Sequence, residues 1–540
     1  MGSSGKSGCW RGKRAEIWID FAFYFRPLCA MAGPGFTDFP GGNVKYWGIR
    51  GLPGLVLLWA LLPTTAQAAW LQAKSRHFVI YSESNEAKLR EFAQKLEKFD
   101  GLLRRVTGVD DPEAGSPVTI FLLNDEAKVM ELARNRNVRG FYGTSERFAY
   151  AVLARGGKIS DFDLGAEEIL FHEYTHHFML HHFPAAYPAW YVEGFAEFFS
   201  VIKFLKDGAV QFGNIPQYRA PGLVLGSTYP LKQLLARDTK GLNAADGDRY
   251  YGTAWLLTHY FQYRVDRRQE IRLYLHDLAD GVQNMQLDGY FAGGIDGLER
   301  DLRAYMKKGL AASRVDATTL TVGDIEVRPV DEAQGALMED ELRLMERPGK
   351  DKLPGIVRSI RQTAVKFPAS AYALTVLAQA EALAEEKQAA LVDLDRAIAL
   401  APGLSRAYSQ KAQLLLERAA DSDRAEDWKA ALSAIVRANR TDLEDPLPLI
   451  LFYRYHARRG GPMPQVGFDG LSKAFGLLPQ NPDYRFAMAE ALAREGHYAH
   501  ASALLDPLAY SPHASELREA AVKRKAEYDL QVNGKTVAAP

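Results

Sequence analysis

The chain has 540 residues, too many for one ordinary domain, so length alone argues for about three units that each bury a core. Hydrophobic residues make up 47%, aromatics 11% and charged residues 24%, which excludes a disordered or membrane-embedded chain. Lys plus Arg and Asp plus Glu are equal at 66 each, so no net field attracts nucleic acid or an anionic membrane, and nucleic acid is not expected as a partner.

The first readable segment is a leader. Lys45 and Arg50 precede an apolar run from Leu55 to Leu62, and Ala66-Gln67-Ala68 has the small-x-small pattern of signal-peptidase cleavage. The run is too short to span a bilayer, so no stable membrane span is expected. Residues 44–68 are expected to be a signal peptide cut after Ala68, with export to the periplasm or beyond. Residues 1–43 have no periodicity and read as an over-extended start, with initiation at Met31 or at a valine codon for Val44; the alternative is an unusually long leader. Cys9 and Cys29 both precede the cut, so the mature chain has no disulfide or thiolate, and any metal must be held by His, Asp or Glu.

After the leader, Arg76 to Glu83 alternates like a strand. Leu89, Phe92, Leu96, Phe99, Leu103 and Val106, spaced three and four apart, then mark one face of a long helix. Pro117 to Asp125 reads as a second strand followed by a helix, and Gly140 to Gly143 and Phe148 to Ala154 as the remaining strands of a small sheet. A helix is expected from an N-cap at Asp163 to about His182, stopped by Pro184 and Pro188, with a second starting near Trp190. Further helices are expected at Asp248 to Tyr263, Gln269 to Ala279 and Ile295 to Lys308. The pattern is α+β, in one domain over residues 69–310, with a polar, strand-like junction over 311–350.

From 351 to 528 the chain is Ala- and Leu-rich and helical, and 529–540 reads as a flexible tail. Pro368 and Pro402 stand 34 residues apart, each closing a helix, and Asp483 to Pro512 repeats the outline around a Gly496-His497-Tyr498 turn. Small residues at crossing positions and a terminal proline at that period resemble the tetratricopeptide repeat, an all-α solenoid. A helical bundle without true repeats is the alternative.

Residues 172–176 read His-Glu-Tyr-Thr-His. At 3.6 residues per turn, His172 and His176 stack on one helix face and present two imidazoles to one ion, while Glu173 can reach a water at that ion and take its proton. Seventeen residues after His176, Glu193 stands on the next helix, which the proline-rich turn can fold back. Two histidines and a carboxylate leave one zinc position to water. His177 is rotated about 100° from His176 and His181 about 140°, so these and His182 read as surface or satisfied core histidines.

His-Glu-x-x-His followed by Glu-Gly-x-Ala resembles the gluzincin metallopeptidases, tightly from Glu167 to Phe199 and more loosely over residues 76–310, in the manner of bacterial peptidase-like proteins joined to tetratricopeptide repeats. The resemblance implies a thermolysin-like α+β catalytic domain that binds Zn2+ through His172, His176 and Glu193, with Glu173 as general base. It also implies Glu197 as an outer acceptor that orients a ligand imidazole. Slippage by one helical turn would exchange Glu197 and Glu193 as ligand; the family pattern, in which the ligand precedes the glycine, favours Glu193. Tyr251 occupies the position of an oxyanion hydrogen-bond donor, with Tyr250 beside it and a core tyrosine as the alternative.

No Gly-x-Met-Glu-Asn stretch precedes the helix, so aminopeptidase action is unsupported. Phe148 to Ala154, read as an edge strand that pairs with an extended substrate, favours an endopeptidase. The expected function is therefore an exported zinc endopeptidase acting on a peptide or protein substrate, with helical repeats that recruit a protein partner. Two alternatives stand beside it: an inactive peptidase-like scaffold that assembles an envelope complex, and a hydrolase of a non-peptide bond.

Overall fold

The computed structural model describes residues 70–110, 116–135, 138–155, 165–183, 187–219, 223, 228–235, 244–279, 282, 285–510, 516–532 and 534. The expected leader with its cut after Ala68, the start sites Met31 and Val44, both cysteines, Asp163 and Pro184 lie outside the described residues. No helix among the described residues is long and apolar enough to cross a membrane.

The N-terminal region runs β1 (Leu71–Lys74), β2 (Phe78–Ser82), α1 (Glu86–Thr107), β3 (Val118–Leu123), α2 (Glu126–Ala133), β4 (Gly140–Thr144), β5 (Ala149–Ala154), α3 (Ala166–His182) and α4 (Ala189–Ser200). It continues with β6 (Lys203–Phe204), β7 (Val210–Phe212), α5 (Leu231–Leu235), α6 (Ala244–Tyr263), α7 (Arg268–Ala279), α8 (Gly294–Lys307), β8 (Ser313–Val315) and β9 (Glu326–Pro329). The main sheet has the order β4-β5-β3-β2-β1-β9, and β6-β7-β8 forms a second, antiparallel sheet.

Helix α1 starts where the Asn85 side chain accepts the Lys88 N–H and ends at Gly108, whose φ of 72° turns the chain out of the helix without a Cβ clash. Its Leu89, Leu96, Phe99 and Leu103 pack under the sheet. β3 is buried along its whole length, as an unbroken apolar run requires of a central strand. Ile120 and Leu122 join the core beneath, while Phe121 and Leu123 face the other side with Val129 and Leu132 of α2.

Three expectations need correction. β2, β3 and β5 are mutually parallel and linked through helices, so the region is α/β rather than α+β. The segment Phe148 to Ala154 is not an edge: β5 is buried throughout and lies between β4 and β3, leaving β4 as the edge strand on that side and β9 on the other. The boundary at 310 also moves, because β8 and β9 pair with β7 and β1 and so belong to the N-terminal sheets. A polar sequence there fits strands with one open side.

The C-terminal region is all-helical: α9 (Glu332–Met345), α10 (Leu353–Ala364), α11 (Ala371–Leu383), α12 (Lys387–Leu400), α13 (Ser405–Ser422), α14 (Ala425–Thr441), α15 (Pro446–Arg459), α16 (Gln465–Leu477), α17 (Pro482–Arg494), α18 (Tyr498–Ala509) and α19 (Glu516–Val532). It therefore begins within the expected junction and ends beyond 528. Each helix packs on the next, and α11, α13 and α15 also pack in succession, giving stacked hairpins like those of a tetratricopeptide solenoid. Alanines at the crossings, among them Ala373, Ala390, Ala407 and Ala431, let the backbones approach. Met338 and Leu342 of α9 cover the Phe121 face of the main sheet, which ties the two regions together.

Candidate metal centre

Helix α3 begins at Ala166 with Gly165 as an N-cap that has no capping side chain, and Glu167 and Glu168 complement the positive end of its dipole. Its roll is fixed from below. Phe171, Tyr174 and Phe178 are buried in the core with α1, and the Tyr174 hydroxyl donates to Asp100 Oδ1 at 2.7 Å while Arg104 holds Oδ2 at 2.6 Å. The other side of α3 carries His172, Glu173 and His176.

Helix α4 returns alongside α3 and settles on α6. At Gly194 a Cβ would lie 2.4 Å from both Ala254 O and Thr258 Oγ1, so a glycine beside Glu193 is what lets α4 sit this deep. Glu193 thereby reaches the two histidines. His172 Nε2 lies 3.0 Å from His176 Nε2 and 3.2 Å from Glu193 Oε2, and His176 Nε2 lies 3.5 Å from the same oxygen. The histidine side chains are 16% and 15% exposed and Glu193 is 2% exposed. Among the described residues, this is the group of three possible ligands whose donor atoms all lie within 4.8 Å of one another.

The donors fit zinc. Bonds of about 2.0–2.1 Å in a tetrahedral site separate ligand atoms by roughly 3.3 Å, and the three separations bracket that value. Two imidazole lone pairs cannot face each other at 3.0 Å without a proton or cation between them. Burial alone lowers the His172 pKa, but the carboxylates of Glu193, Glu197 and Glu173 outweigh it and lift the value to about 9. Burial pushes Glu193 up, yet His176 and His172 hold it well below the usual carboxylate range. The site is short of positive charge, and a divalent cation competes with protons for the same lone pairs.

Glu197 is buried one turn beyond Glu193, with Oε1 3.9 Å from His172 Nδ1. Arg219 donates to Oε1 from Nε and Nη2 at 3.2 and 2.9 Å, and the Tyr218 hydroxyl donates to Oε2 at 2.7 Å. Of the two glutamates left open by the sequence, Glu193 meets the Nε2 atoms and Glu197 sits on the far side of the His172 ring. Glu173 is half-buried beside His172, and among the described residues its carboxylate makes no hydrogen bond or ion pair.

Tyr251 is half-buried on α6, with the Arg219 guanidinium 4.7 Å above its ring and Tyr250 edge-on at 5.7 Å. Burial raises its pKa strongly, Glu193 adds to the rise and Arg219 opposes it, so the phenol is a neutral donor within the field of the site's carboxylates. The remaining histidines of α3 are engaged elsewhere. His177 Nδ1 lies 2.9 Å from the Tyr142 hydroxyl, its ring stacks on Tyr174 and on His181, and His182 packs on Phe178.

Tyr218 and Arg219 are site residues that sequence reasoning missed. They come from a short 3-10 turn, Gln217–Arg219, with no periodicity or motif to mark it. No protein-family model matches the chain, and no curated protein matches it. Among solved structures, the chain is similar to "MamA RS-1 ArsTM double mutant" at 15% identity, over 38% of this chain and 98% of that one. It is also similar to "MamA 41-end from Desulfovibrio magneticus RS-1" at 14% identity, over 38% and 99%. The TM-score is 0.25 for each, a likeness that bears on neither fold nor function.

Proposed function

We propose that this chain is an exported zinc metallopeptidase of the gluzincin type that cleaves within peptide chains. The observation that carries the reading is the convergence of His172, His176 and Glu193, with Glu173 beside them making no hydrogen bond or ion pair among the described residues. When bound, zinc supplies Lewis-acid polarisation of a carbonyl and a water of lowered pKa. Glu173 accepts a proton from the attacking water and delivers it to the departing amine. Tyr251 donates a hydrogen bond to the substrate oxygen that gains negative charge, and its raised pKa keeps the proton available. Glu197, fixed by Arg219 and Tyr218, steadies the His172 ring.

An extended peptide adds to the outer edge of β4, where backbone pairing gives affinity without sequence preference. The helical region offers surfaces for a protein partner. Export rests on the leader around Ala68. The test is a peptide-library cleavage assay with the zinc-loaded chain, reversed by chelator and restored by zinc. Glu173→Gln is expected to keep zinc and lose about 10²–10⁴-fold in turnover. A fully active Glu173→Gln overturns the mechanism, and a zinc-loaded chain that cleaves nothing favours the inactive scaffold.

A further inference from the structure

The turn between β4 and β5 is held by the helical region. Arg147 Nε lies 3.2 and 3.1 Å from the two oxygens of Asp445, and its Nη2 lies 3.0 Å from Ser405 Oγ. The Asp445 side chain is 0% exposed and is fixed in turn by Ser409 Oγ and by the Leu447 N–H that it caps. Arg454 donates to Glu146 Oε1 at 3.3 Å, Asn481 Nδ2 to Ser145 O at 2.9 Å, and the Tyr484 hydroxyl to Glu146 O. The turn before α17 reaches the ligand-bearing helix, where Gln480 Nε2 donates to His177 O at 3.2 Å.

β4 needs such support. It pairs with one neighbour only, and two of its five residues, Gly140 and Gly143, have no side chain to pack, which weakens a strand. One link from it to α3 is the Tyr142 hydroxyl against His177. Asp445 is fully buried and Arg147 partly so, and breaking such a pair by removing one partner is costly, so the contact resists loss of this turn's position.

We infer that the helical region is a working part of the candidate site: it clamps the β4–β5 turn and α3 together, and so aligns the strand edge with His172, His176 and Glu193. Arg147 and Asp445 are positioning residues. The clamp stands on the contacts alone; its catalytic meaning rests on the peptidase reading. A partner recruited by the helical region must use a surface other than the one that holds this turn.

The test uses the full zinc-loaded chain with Asp445→Asn, which removes the charge facing Arg147. Tyr484→Phe, which deletes one hydroxyl and keeps the ring, serves if Asp445→Asn does not fold. Amide exchange at Phe141 to Thr144 is expected to speed up by about tenfold or more, with exchange in β1 and β2 and the zinc content unchanged. On an extended peptide, KM is expected to rise about tenfold with kcat nearly constant. Unchanged β4 exchange in the folded variants overturns the inference whatever the activity. Faster exchange with unchanged KM overturns its catalytic part. A wild-type chain without cleavage fails the peptidase reading instead, and the exchange comparison still decides the clamp.

Discussion

The cradle made by α3, α4 and α6 and the C-terminal helical region both bring helices together through small residues, and they treat buried charge in opposite ways. In the helical region Asp445 and Arg485 are held by fixed partners, one of them from the β4–β5 turn. Asp445 is met by Arg147, Ser409 and the start of α15, and Arg485, 1% exposed, donates to the carbonyl oxygens of Pro479 and Leu504. In the cradle, Glu193 and two histidines converge on one point, and Glu173 makes no hydrogen bond or ion pair among the described residues. Groups held by fixed partners set geometry; a converging cluster whose pKa values are pushed in opposite directions is where chemistry is expected.

The comparison breaks first at the ligands. Glu193→Ala is expected to cost more than the roughly 10–100-fold in zinc affinity that losing an outer partner costs, read by competition with a chromophoric chelator. Asp445→Asn should leave that affinity unchanged. If the two variants bind zinc alike, the distinction between structural and ligand carboxylates fails.

A second break is acid. His259 is fully buried on α6, with Nε2 2.9 Å from Ala311 O and Nδ1 2.9 Å from the Tyr305 hydroxyl. Burial lowers its pKa from 6.5 to about 4 despite the carbonyl. The folded value lies below the unfolded one, so the unfolded state binds more protons in between. The stability from a neutral His259 is complete above pH 6.5 and is lost as pH falls toward about 4, a change of about 3 kcal/mol at most. Urea melts from pH 7 to 4.5 are expected to show this slope in the N-terminal region, and His259→Asn to flatten it. An unchanged slope in His259→Asn removes His259 as its origin.

Close packing comes next. Gly194→Ala would put a Cβ 2.4 Å from the Ala254 carbonyl oxygen, a backbone atom that cannot swing aside. A destabilisation of about 2–3 kcal/mol is expected in thermal melts, with α4 pushed off α6 and zinc binding weakened along with it. A Cβ at Gly355 in α10 would meet nothing within 4 Å, so Gly355→Ala should be neutral or stabilising, by about 0.5–1 kcal/mol.

What the sequence reveals follows the range of the interaction. His172 and His176 are legible because one helical turn relates them, and Glu193 because a short turn brings the next helix back. The stacked hairpins are legible because alanines and prolines recur. Arg219 and Tyr218 are not, since they meet Glu197 from a turn without pattern, and β8 and β9 read as a junction because their partners lie far along the chain. The edge position went to β5 rather than β4 because an apolar run of six residues does not say how many neighbours it has. The grip on Ser145, Glu146 and Arg147 depends on side chains some three hundred residues later, which no local spacing encodes.

The finest test separates Glu197 from both extremes, since it is held by fixed partners like Asp445 yet stands beside a ligand. Tyr218 gives it one hydrogen bond, and Arg219 supplies the charge. Tyr218→Phe removes that bond and keeps the ring beneath Arg219, whose guanidinium carbon lies 5.2 Å from its centre. If Glu197 acts on zinc through His172, the loosened carboxylate should lower zinc affinity by about tenfold, the lower end for an outer partner. Its effect on thermal stability should be about 1 kcal/mol, the worth of one hydrogen bond. A stability loss of that size with zinc affinity unchanged would make Glu197 a structural acid like Asp445, one that does not tune the ligand it stands beside.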